Sequence, residues 1–157
     1  MPRRRPTPLL AVVAALALLL FLPGCGDDVE KSNAYVDAVN KAQNDFAVTF
    51  DRLNKSITST STPKQDRDTL GRFQSAVEDV TKELSGVTPP EPVASLHKQL
   101  IREISGYGDE VKKARKAFAS TDPQKVIAAQ TDLVTAVTSV ATRINATIDQ
   151  INKKLRE

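Results

Sequence analysis

The chain is short of several residue types, and each shortage excludes something. It has one cysteine in 157 residues, Cys25. No second thiol can pair with it, so the segment downstream has neither a disulfide nor a thiol catalyst. One histidine, His97, is too little for a histidine-rich metal site. Tryptophan is absent and aromatic residues make up 4% of the chain. Any core must therefore come from Leu, Ile, Val and Ala. Six glycines are few for a sheet protein with many turns, and favour long helices. No phosphate loop, nucleophile elbow or pair of catalytic carboxylates is present. The sequence predicts a protein that is not an enzyme and uses no cofactor or metal.

What is present begins with a leader. "MPRRRPTP" opens the chain with positive charge, and Leu9 to Leu22 is an uninterrupted apolar run. Fourteen residues of helix cover about 21 Å, short of the roughly 30 Å hydrocarbon core of a bilayer. The run reads as the central region of a signal peptide. Leu22-Pro23-Gly24-Cys25 follows directly. This stretch resembles a bacterial lipobox, with Leu three places before the cysteine and a small residue immediately before it. The resemblance covers about the first 25 residues. It implies that the sulfur of Cys25 receives a diacylglycerol and that lipoprotein-processing enzymes cut the chain before it. An ordinary secretory signal or an uncleaved anchor are the alternatives. Two acyl chains hold a protein stably where one does not.

Charge separates the leader from the rest. The chain carries 22 basic and 19 acidic residues. Removing Arg3, Arg4 and Arg5 with the leader leaves 19 basic residues against the same 19 acidic ones. A neutral remainder gives no electrostatic reason to bind nucleic acid. The expected organisation is a signal peptide over 1–24, a lipidated cysteine and tether over 25–28, and one domain over 29–157.

That domain repeats apolar residues at helical spacing. The first segment, about Val29 to Ile57, has the stripe Tyr35, Val39, Ala42, Phe46, Leu53 and Ile57, with Phe50 at its edge. The second, Pro63 to Ser85, carries Leu70, Phe73, Val77, Val80 and Leu84. The third, about Pro92 to Ala119, carries Val93, Leu96, Leu100, Ile104, Tyr107, Val111, Ala114 and Phe118. The fourth, about Pro123 to Leu155, carries Val126, Leu133, Val137, Val140, Ile144, Ile148, Ile151 and Leu155. Thr62 with Gln65 reads as a capping box, and Thr121 or Asp122 as the cap of the fourth helix. Gly106 and Gly108 either break the third helix or mark a close helix contact around Tyr107. Short joints predict an all-α fold, an antiparallel up-down-up-down four-helix bundle. The lipobox, the "PPEP" joint and the bundle together resemble small actinobacterial helical lipoproteins.

Few side chains suggest chemistry. His97 lies beside the Leu96–Leu100 stripe with no partner ligands in sequence, and reads as a flank residue. "DEVKKARK" gathers Lys112, Lys113, Arg115 and Lys116 into a basic run. It is either a partner patch or a solvated face on which Asp109 pairs with Lys113. With the lipid at the start of the first helix, that helix climbs away from the membrane and the C-terminus returns to it. Lys153, Lys154 and Arg156 are then candidate headgroup contacts, or simply cations at a helix end. The expected function is a lipoprotein on the extracytoplasmic face of the cell membrane, acting as an interaction or scaffold module for an envelope protein. The alternative is a carrier that holds a lipid or other apolar ligand between its helices.

Overall fold

A computed structural model describes residues 27–56, 62–120 and 122–157. Among them the chain is all-α, with four helices and no strand. They are α1 (Asp27–Ser56), α2 (Pro63–Ser85), α3 (Ala94–Ala117) and α4 (Pro123–Lys154). A 3-10 turn, Glu91–Val93, leads into α3.

Local chemistry sets the ends. The side chain of Thr62 accepts from the backbone N–H of Gln65 at 3.3 Å, and the Gln65 side chain accepts from the backbone N–H of Thr62 at 2.7 Å. These bonds satisfy donors that the first turn leaves without partners. Asp122 caps α4 by accepting from the N–H of Gln124 at 2.9 Å. Pro123 follows at the first helical position, where its missing N–H costs nothing. Prolines 89, 90 and 92 confine the α2–α3 joint, and Val93 within it is fully buried.

The stripe of α2 is entirely buried at Leu70, Phe73, Val77, Val80 and Leu84. Fully burying one such side chain is worth about 2 kcal/mol. In α1 the phase differs slightly from the sequence expectation. Phe50 is buried and Phe46 lies at the edge, packed between both parts of the core. Over a long helix a pure 3.5-residue stripe drifts by about 20° per heptad, which moves Phe50 inward. Ile57 lies outside the described residues.

The core divides into two clusters. One gathers Tyr35, Val39 and Ala42 of α1, Val80 and Leu84 of α2, Val93, Leu100 of α3 and Ile151 of α4. The other gathers Phe50 and Leu53 of α1, Leu70 and Phe73 of α2, Val111, Ala114 and Phe118 of α3, and Ala129 of α4. The helices pack in chain order, α1 on α2, α2 on α3 and α3 on α4. Among the described residues, α1 and α4 make no comparably close approach. α3 continues without a break through Gly106 and Gly108. A Cβ at Gly108 would stand 3.2 Å from Val77 of α2, so this glycine permits close approach of the two helices, while Gly106 faces open space.

Candidate functional site

His97 corrects the sequence expectation. It is a core residue at 3% exposure, while Leu96 is only partly buried. Its Nε2 lies 3.0 Å from the carbonyl oxygen of Leu84. Its Nδ1 lies 3.2 Å from the hydroxyl of Tyr35, itself 2% exposed. A carbonyl only accepts, so Nε2 carries the proton and Nδ1 presents its lone pair. The Tyr35 hydroxyl therefore donates to Nδ1. The two rings meet edge to face, with centroids 5.5 Å apart at 73°. One imidazole thus ties α1, the end of α2 and the start of α3 together. The signal is present in the sequence: Val93, His97 and Leu100 stand at helical spacing, whereas a stripe drawn through Leu96 and Leu100 sets His97 on its flank.

Burial dominates the electrostatics here. Desolvation holds the His97 pKa below its ordinary value, and the bond to Leu84 opposes that shift. Desolvation pushes the Tyr35 hydroxyl up to about 12. Burial thus favours the neutral form of both rings. A metal does not suit the site, because both histidine nitrogens already have partners. Among the described residues no group of three His, Cys, Asp or Glu side chains is placed to hold a metal ion.

A second polar contact, part-buried, lies between α3 and α4. Gln99 donates to Thr147 at 3.0 Å and to Glu103 at 2.9 Å. Thr147 is 1% exposed, a core position that the apolar stripe of α4 passed over.

The basic run of α3 is spread over two sides of its helix. Lys112, Lys113, Arg115 and Lys116 are all exposed. Lys113 donates to Glu110 at 2.7 Å, so its partner is Glu110 and not the expected Asp109. A Cβ at Gly71 would stand 3.3 Å from the Arg115 guanidinium, which places Arg115 across α2. At the end of α4, Lys153, Lys154 and Arg156 are exposed, and Lys154 pairs with Glu157 at 2.7 Å. The lipobox residues Leu22, Pro23 and Gly24, and Cys25 itself, lie outside the described residues. No helix among the described residues is long and apolar enough to cross a membrane.

Set against known proteins, the chain matches no family model, no curated protein and no solved structure.

Proposed function

We propose that the protein is a lipoprotein held on the extracytoplasmic face of the cell membrane by a diacylglycerol on Cys25, and that its bundle is a non-catalytic interaction module. The leader carries this reading: a basic start, a 14-residue apolar run and Leu22-Pro23-Gly24-Cys25 in immediate succession. Helix α1 is already under way at Asp27. Only Gly26 would stand between the lipid and that helix, so the bundle sits at the bilayer surface. The composition of the core supports alternating helix directions. The first half of α1 shares a cluster with the last turns of α2, the start of α3 and the end of α4. The opposite ends share the other cluster. In that up-down-up-down arrangement Lys153, Lys154 and Arg156 return to the anchored end, where anionic headgroups would attract them at about 1 kcal/mol per charge.

The non-catalytic part of the reading rests on the buried polar groups. His97, Tyr35 and Thr147 are each engaged within the core. Tyr35 and His97 hold each other, and Thr147 accepts from Gln99.

The test is membrane fractionation of the full chain and of Cys25→Ser. The native chain should stay in the membrane fraction after a high-salt wash, and Cys25→Ser should leave it. A Cys25→Ser chain as firmly bound as the native one would overturn the anchor. A second reading, a carrier for an apolar ligand, draws support from the α1–α4 seam, where the helices do not pack as a close pair. Native mass spectrometry would show it as extra mass that disappears on denaturation.

A further inference from the structure

The outer face of α4 carries little charge. From Ile127 to Thr142 the helix carries one charged residue, Asp132, although charged residues make up 26% of the chain. Thr131, Thr135, Thr138 and Thr142 are all exposed. At 3.6 residues per turn they fall within about 60° of one another, on the side opposite the buried Ala129, Val137, Val140 and Ile151. Ile127 and Val134 border the same stripe at 54% and 39% exposure.

The hydroxyl protons of this face are engaged within the helix. Each of the four threonines donates to the carbonyl four residues back: Thr131 to Ile127 at 3.3 Å, Thr135 to Thr131 at 3.1 Å, Thr138 to Val134 at 2.9 Å and Thr142 to Thr138 at 3.0 Å. With those protons engaged, the four threonines offer a partner methyl groups and acceptor oxygens but no free donor. A purely solvated face would ordinarily be filled with better helix formers such as Glu, Lys or Gln. The spacing of 4-3-4 is that of a second helix-packing seam.

We infer that this face pairs with the same face of a second copy, α4 against α4 in antiparallel orientation. The charges choose both partner and direction. Asp132 and Arg143 flank the stripe on the same side of the helix, about 100° and 120° around from Thr131. Both are exposed, and neither has an ion-pair partner among the described residues. Arg143 only donates to Ser139, at 2.8 Å. Antiparallel pairing about the level of Val137 sets Asp132 beside Arg143 of the second copy, twice over. Within one residue the same register sets Lys125 level with Asp149 of the second copy. Parallel pairing in register would instead carry this flank to opposite sides of the seam, leaving neither Asp132 nor Arg143 an opposite charge beside it. The two-fold axis stands perpendicular to the helices. Two copies anchored in one membrane therefore pair with their bundles lying along it, in place of the upright stance expected from the tether alone. This inference names the partner of the interaction module proposed above, and rests on that reading but not on the lipid.

The experiment is charge reversal in the full chain, purified in mild detergent, with mass read by analytical ultracentrifugation across a concentration series. The native chain should dimerise. Asp132→Arg and Arg143→Asp should each weaken dimerisation by at least about tenfold, because each sets like charges together. The double variant should return to within about threefold of native. Thr135→Lys, at the centre of an exposed face, should give a monomer with unchanged helical content. A native monomer at every concentration would overturn the inference. So would single reversals that dimerise like the native chain, or a double reversal that fails to recover. A monomer that Cys25→Ser still releases from membranes would lose the dimer and keep the anchor. A different protein crosslinked to this face, with no crosslink between copies, would overturn self-pairing and leave the module reading intact.

Discussion

The two core clusters solve the same packing problem by different means. The buried residues of the Phe50 cluster are all apolar and include three phenylalanine rings, with Phe50 and Phe73 5.2 Å apart in an edge contact. The Tyr35 cluster is mostly aliphatic and closes around a hydrogen-bonded imidazole. Rings and aliphatic side chains resist truncation alike, but they impose little on one another beyond volume. A buried polar pair does more. It fixes a tautomer and a direction for each bond, and it links folding to pH.

Truncation in either cluster should have the largest effect on stability. Phe73→Ala in one and Leu100→Ala in the other should each cost about 3–4 kcal/mol, seen as lower urea midpoints at pH 7.5. A loss at one end only would mean that the clusters unfold as separate units.

Tyr35→Phe sharpens the contrast. It leaves the Nδ1 of His97 buried without a donor, at about 1–2 kcal/mol. A volume change confined to the other cluster, such as Phe73→Leu, should shift the midpoint equally at pH 7.5 and pH 5. The pH dependence itself belongs to His97. Its folded-state pKa is lowered, so below about pH 6.5 the unfolded chain takes up the proton first. The stability contributed by the neutral imidazole is therefore complete above that pH. It is lost as pH falls from there through the folded value. Asp68 and Glu157, whose carboxyls are held low by Lys64 and Lys154, act in a more acidic window. Replacing His97 with Gln should flatten the slope of urea midpoint against pH between 7 and 5. A slope unchanged by that substitution would assign the effect elsewhere.

The smallest expected change lies at the cap of α2, beside the Phe50 cluster. Thr62→Ala removes one half of the capping box and should cost about 1 kcal/mol. The same loss should appear at both pH values.

Much of this architecture was legible in the sequence where patterns agreed. For α2, the turn chemistry of Thr62 and Gln65 and the 3-4-3-4 stripe both point to Pro63–Ser85, the bounds observed. Legibility failed where residue type and position conflicted. His97 occupies a core position but carries a polar ring, and only the carbonyl of Leu84 and the hydroxyl of Tyr35, remote in sequence, make its burial tolerable. Thr147 is a similar case, satisfied by Gln99 from the neighbouring helix. In α4, threonine occurs on both faces, so composition alone does not separate the buried Thr147 from the exposed Thr138. The pairing of Lys113 with Glu110 rather than Asp109 is a choice between i−3 and i−4 neighbours that spacing leaves open. The anchor is a different case: it is proposed from the sequence, and Cys25 lies outside the described residues.

The central claim concerns that cysteine, and the most direct test is the mass of the N-terminal peptide of the chain recovered from native membranes. The account predicts a peptide that begins at Cys25 and carries a diacylglycerol on its sulfur. A peptide that begins at Met1, or one cut near Gly24 with an unmodified thiol, would contradict it.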